Sequence, residues 1–144
     1  MSDIELGEPD LETAVMEMLR QRFPILATPA GGLLRVATET PDDLPTRVTS
    51  SAPFVRVTDI GGAGGRLDVG ATVDVDVYGR SRNQTRDLAV AIEGFMLSAP
   101  HSVFVGGAFV LVDSVGLSVR PHRVPWPDET IRRYYSSYQL SARR

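Results

Sequence analysis

Residues 68–96 read DVGATVDVDVYGRSRNQTRDLAVAIEGFM, and a change of period inside this stretch decides the fold. Up to Gly79 the repeat is two residues. Val69, Ala71, Val73, Val75 and Val77 fall on one side of an extended chain, and Asp68, Thr72, Asp74, Asp76 and Tyr78 on the other. One face is core, and the other faces solvent, a lumen or a partner. Beyond Gly79 the repeat lengthens to that of a helix. Ser81 and Gln84 form a capping box that satisfies orphan backbone donors at the helix start. Leu88, Ala91, Ile92 and Phe95 are the expected buried stripe, Arg82, Arg86 and Glu93 face outward, and Pro100 marks the far end.

Working outward, Asp10 to Phe23 has helical spacing, with Leu11, Val15, Met18 and Leu19 on one side. Pro24 closes that helix, because a residue before proline is pushed out of the helical region. Leu33 to Ala37 and Phe54 to Ile60 read as strands, with Val55 and Val57 of the second facing one way. Thr38 to Ser51 reads as a loop, and Gly61 to Gly65 as the tip of an extended β-hairpin or loop. Downstream, strands flank Gly106-Gly107, another alternates through Val115, Leu117 and Val119, and Pro121, Pro125 and Pro127 interrupt regular structure around Trp126. A last strand begins at Ile131 and ends near Leu140. The order α-β-β-β-α-β-β-β predicts one α+β domain over residues 1–144, a mainly antiparallel β-sheet with two principal helices packed against it.

The 144 residues suit a single domain with an ordinary core. There is no cysteine, which removes disulfides and thiolate metal sites and suits folding in a cytoplasm. No apolar run approaches the roughly 20 residues that cross a bilayer, and MSDIELGEPD has none of the basic and apolar regions of a signal peptide. The net charge of −3 argues against general nucleic-acid binding. All 15 basic residues are arginine. The absence of lysine removes Schiff-base chemistry, P-loop lysines and lysine general bases. High-GC codon usage explains the bias, and guanidinium groups also suit bidentate contacts at interfaces.

The inventory of catalytic motifs is empty. GGAGGRLDVG breaks the dinucleotide-binding spacing, since Leu67 stands where the third glycine belongs, and it leads into a strand. Asp74 and Asp76 share a strand face, but no histidine or third carboxylate stands at a ligand spacing. They are read as solvated, or as acidic groups on a channel wall that would repel DNA phosphates. His101 and His122 lack triad partners, and Trp126 is read as a packing anchor. No catalytic residue, metal site or cofactor is expected, and the chain is read as not an enzyme. The candidate surface is a contact surface: Arg80, Arg82 and Arg86 at the strand–helix corner, and Arg132, Arg133, Tyr134, Tyr135 and Tyr138 along the last strand. In that strand Tyr134 and Tyr138 share a face with Leu140 while Tyr135 points the other way, which divides the tyrosines between core and partner.

The helix ending at Phe23-Pro24, the DVDVYG strand (74–79), the SRNQTRDLAVAIEGFM helix (81–96) and the segment VRPHRVPWPDETIRRYYSSYQLSARR (119–144) together resemble the tail terminator proteins of long-tailed bacteriophages. The likeness is one of layout over nearly the whole chain. It implies a virion protein, assembled in the host cytoplasm, that forms a hexameric ring at the head-proximal end of the tail. There it would stop tail-tube polymerisation and dock the head connector. The implied partners are further copies of itself, the tail tube protein and a head–tail connector or stopper protein. DNA would pass through the lumen without sequence-specific binding, and no membrane is involved. Another connector or stopper component shares part of this layout. A small metal- or ligand-binding domain using the Asp74/Asp76 face with a histidine is the reading from a different class.

Overall fold

The computed structural model describes residues 11–27, 36–37, 48, 53–60, 68–105, 107–127 and 130–143. The segment 61–65 expected as a hairpin tip, residues 33–35 of the first expected strand and, apart from Val48, the stretch 38–51 expected as a loop lie outside the described residues. The elements are α1 (Leu11–Arg22), α2 (Pro24–Ala27), β1 (Val36–Ala37), β2 (Phe54–Asp59), β3 (Asp68–Gly79), α3 (Arg82–Met96), β4 (His101–Val105), β5 (Ala108–Val124) and β6 (Arg132–Arg143). Pro24 ends α1 as expected, but the chain resumes at once as the short turn of α2, where a first-position proline costs no hydrogen bond.

Six strands form one sheet in the order β1-β2-β3-β6-β5-β4, curled into a half-barrel. The sheet is mixed: β1 runs parallel to β2, and the other pairings are antiparallel. The last strand in sequence sits inside the sheet, between β3 and β5, and α3 carries the chain from β3 across to the edge strand β4. The two short strands expected from 109–112 and 115–119 are one long strand, β5, with register irregularities after Val112, Leu117 and Val119. Pro121 therefore lies within a strand and does not break it. A proline is tolerated there because the bulged register asks no ladder hydrogen bond of it. Gly107 turns β4 into β5 with φ at +83°, a conformation that side-chain-bearing residues rarely adopt.

The valines of β3 do what their alternation demands. Val73, Val75 and Val77 are buried on the helix-covered face with Val55, Val57, Tyr134, Tyr138 and Leu140. Each such side chain is worth about 1.5–3 kcal/mol relative to exposure. Leu11, Val15, Met18 and Leu19 of α1 close over them. The buried stripe of α3 is Thr85, Ala89, Ile92 and Met96, with Leu88 and Phe95 half-buried beside it, and Ala91 is exposed, not buried. The rotation has a local cause. Ser81 caps the helix, its Oγ accepting from the Gln84 amide at 3.3 Å, while the Thr85 hydroxyl donates to the Ser81 carbonyl at 2.5 Å. That bond turns Thr85 inward over Gly79, where only a hydrogen fits: a methyl group there would collide with the Thr85 hydroxyl.

The opposite face of β3 is not open along its length, contrary to the simple alternation. At one end Phe54, Tyr78, Val48 and Ile131 form a second, smaller core, and Trp126 packs edge-on to Tyr78 with ring centroids 4.9 Å apart. Trp126 is thus the packing anchor its proline neighbours suggested.

Gly79→Ala is expected to cost about 1–3 kcal/mol in urea denaturation, and Thr85→Ala in the same chain to recover part of that loss by removing the obstructing hydroxyl. Burial pushes the Tyr138 hydroxyl from an ordinary value of 10.0 up to about 12. The folded chain keeps a proton that the unfolded chain releases, so this contribution is complete below pH 10 and is lost as pH rises towards 12. Tyr138→Phe should flatten the fall in stability across that window, which unfolding curves at stepped alkaline pH will measure.

Candidate interaction surface

On the face away from the helices, register brings three neighbouring strands into one polar cluster. Arg56 of β2 lies opposite Asp76 of β3, and Asp76 lies opposite Tyr135 of β6, two residue pairs from Tyr78 and Arg133. The Asp76 carboxylate is completely buried. Its Oδ2 accepts from Arg56 Nη2 at 3.0 Å. Its Oδ1 accepts from Arg133 Nε at 2.8 Å and lies 2.7 Å from Arg133 Nη2. A buried carboxylate is tolerable only when paired and hydrogen-bonded, and here each oxygen has a guanidinium. Burial works against the Arg56 charge, but the hydrogen bond and the negative charge of Asp76 outweigh it and hold the group more firmly protonated than usual. Arg133 also lies 5.8 Å from the Trp126 ring centre, in cation–π range.

One step along β3, Asp74 accepts from the Tyr135 hydroxyl at 2.9 Å. Burial, then the hydrogen bond to Asp74, raise the Tyr135 phenol above its ordinary value, so it is a fixed donor at neutral pH. His122 of β5 meets the Tyr135 ring edge-on at 5.7 Å between centroids. The histidine reaches the aspartate pair only through this tyrosine. Among the described residues no three His, Asp or Glu side chains converge as a metal-ligand set.

The structure redistributes the expected contact residues. Tyr134 and Tyr138 are buried in the main core and offer no contact surface, as strand parity with Leu140 requires. Arg133 is committed to Asp76. Arg80 ties two segments together, its Nε donating to the Val48 carbonyl at 2.8 Å and its Nη1 to Thr130 Oγ1 at 2.9 Å. Arg132 is half-buried and engaged within the chain. Asp76 is no part of an acidic channel wall, because its charge is covered and matched by two arginines; Asp74 alone of the pair is partly exposed. Arg82 and Arg86 remain on the surface, where Arg86 pairs with Asp87 at 3.3 Å, an exposed contact of little energetic weight.

Sequence reasoning missed three features. Arg56 sits at the inverse parity to Val55 and Val57, a visible signal, but its partner is set by register. Phe104 and Phe109 are 55% and 65% exposed and pack edge-to-face at 5.0 Å across the β4–β5 hairpin. Arg120 and Arg123 are exposed on β5 and have no partner among the described residues. Arg123 lies in the stretch assigned to a proline-broken segment, and Arg120 was read only as the polar side of the strand before it.

Asp76→Ala should cost about 3–5 kcal/mol in urea denaturation, because it strands two guanidiniums. The same change in an Arg133→Met background should cost clearly less, since one of the stranded charges is gone; equal costs in the two backgrounds would show that the pair is uncoupled.

No family model matches the chain, and no curated protein sequence does. Among solved structures, a chain of the virion of a native gene transfer agent particle shares the fold. The TM-score is 0.57 at 16% sequence identity, covering 93% of this chain and 95% of that one. At that identity the likeness is one of fold.

Proposed function

We propose that this chain is a structural protein of a phage-like virion, a tail terminator that forms a ring at the head-proximal end of the tail. In that place it ends tail-tube polymerisation and gives the head connector its docking surface. The observation that carries the reading is the fold shared, over nearly the full length of both chains, with a component of a gene transfer agent virion. The disposition of the chemistry supports it. The ionic cluster around Asp76 is consumed in clamping strands, and the solvent-facing groups include contact types: Arg82, Arg86, Arg120, Arg123 and the Phe104–Phe109 pair. The chain acts by contact, not catalysis. Its partners are its own copies, the tail tube protein and the connector, with DNA passing through the lumen unread. Among the described residues no helix is long and apolar enough to cross a membrane.

Native mass spectrometry and negative-stain imaging of the chain with tail-tube protein should show closed rings capping tubes of uniform length. Arg82→Glu with Arg86→Glu, on the exposed corner, should weaken capping while leaving the circular dichroism of the fold unchanged. Monomers under all conditions, together with tubes of unaltered length, would refute the assignment.

A further inference from the structure

The net charge of −3 hides a segregation. At one end of the sheet β3 stops, β6 begins and β5 runs out: Gly79 pairs with Arg132, Tyr78 with Arg133, and Arg133 with Val124. Arg80 follows β3 there. Thr85 sits over Gly79, which brings the first turn of α3, with Arg82 and Arg86, to the same end. Arg123, opposite Tyr134, and Arg132, opposite Gly79, share the helix side of the sheet, and Arg120 lies in the irregularity before His122. With Arg56, Arg133, Asp76 and Asp87 this end holds eight arginines and two aspartates, a formal balance of +6 that leaves −9 for the rest of the chain. The charged residues next in sequence, Arg47, Asp128 and Glu129, lower that balance only to +5.

Several of these guanidiniums are unspent. Asp76 holds Arg56 and Arg133, and Asp87 holds Arg86. Arg82, Arg120 and Arg123 are exposed and form no ion pair with a described residue. Arg123 and Arg132 also line a groove beside Trp126. The N-terminus of α3 points to this end and adds the positive pole of its dipole.

We propose that this end of the sheet holds the phosphate backbone of double-stranded DNA without reading its sequence. The first reason is donor geometry. A guanidinium presents paired N–H donors that match two oxygens of one phosphate, and the three free ones come from a helix and a strand, so that more than one phosphate is met at once. Contacts to phosphate fix a duplex in place and carry no base information.

The second reason is what surrounds the arginines. Among the described residues of 80–87 and 118–130 the exposed ones are Arg, Asn, Gln, Asp, His, Ser, Thr and Pro, with no exposed aliphatic or aromatic side chain. The exposed Phe104–Phe109 pair lies beyond the opposite end, where β6 finishes opposite Leu111. An interface with a folded protein has an apolar centre inside a polar rim, whereas a nucleic-acid interface is polar, wet and positively charged. An acidic protein face would find charge here but no core. The inference concerns the ligand of one end of the chain and does not depend on its being a tail terminator.

Fluorescence anisotropy with a labelled duplex of about 20 base pairs tests this, the logarithm of affinity falling linearly with that of salt at a slope of about −2.7 for three phosphate contacts. Arg120→Gln with Arg123→Gln should cut the slope to about −0.9 and weaken binding at low salt by about tenfold. Arg82→Gln, on a separate element, should lower the slope by about 0.9. Arg22→Glu makes the same change in net charge as the double variant but lies by His101 and Ser102, away from this end, and should leave affinity and slope unchanged. Circular dichroism checks that each variant is folded. Absence of salt-dependent binding overturns the proposal, as does an equal loss in Arg22→Glu, which would trace binding to net charge alone. Polyglutamate bound more tightly than a duplex of equal charge would assign this end to an acidic protein and overturn it as well. Two duplexes of different sequence with affinities more than about tenfold apart would overturn the claim that sequence is unread.

Discussion

Asp76 holds the sheet in register. It sits on β3, and its two oxygens are taken by arginines from the strands on either side, Arg56 of β2 and Arg133 of β6. A slip of one residue in either pairing would move an arginine to the apolar face and leave a bare carboxylate where water cannot reach. Valine parity alone does not define that register, since a shift of two residues keeps the valines of β3 on the same face. The ionic fork distinguishes these alternatives because only one alignment satisfies both oxygens. Its weight is in specificity more than in net stability, since desolvation of the carboxylate offsets much of the attraction.

The rest of the face follows from that clamp. Arg133, fixed by Asp76, lies against Trp126, which in turn packs on Tyr78 and closes the smaller core with Phe54 and Ile131. Tyr135, opposite Asp76 in the ladder, is delivered to Asp74 and against His122. The segment between β5 and β6 is thereby anchored at both ends. Arg80 completes the same closure from the corner after β3, reaching Val48 and Thr130.

How much of this was legible before the fold was known depended on whether a feature is local. The alternation of β3, the Ser81 cap, the end of α1 at Pro24 and the opposite facing of Tyr134 and Tyr135 are local and could be read from spacing. The burial of Asp76 is not local. Its parity says only that it opposes the valines, and whether that side is wet depends on Phe54 and Trp126 arriving from distant segments. The tie of Arg133 to a carboxylate was hidden for the same reason, because its acceptor lies in another strand. The stripe of α3 was misread by one position because Thr85, a polar residue, heads it, and the hydroxyl bond to Ser81 that makes this acceptable is invisible to a hydrophobicity pattern. β5 was ended before Pro121 because proline is a sound breaker in a regular strand and a poor one at a bulge.

Burial of the ionic cluster also decides which groups are left on the surface. Arg133, Tyr134 and Tyr138 of the last strand are spent inside the chain, and what remains outside is a helical corner with Arg82 and Arg86, an aromatic pair on the β4–β5 hairpin, and the edge of β5 beyond Val112. The edge carries guards of its own. The irregularities after Val112, Leu117 and Val119 interrupt a flat ladder, Pro121 withholds an amide, and Arg120 and Arg123 place charge along it. Guards of this sort protect an edge without covering it: an interrupted ladder offers few consecutive hydrogen bonds, and a charge placed there keeps its water.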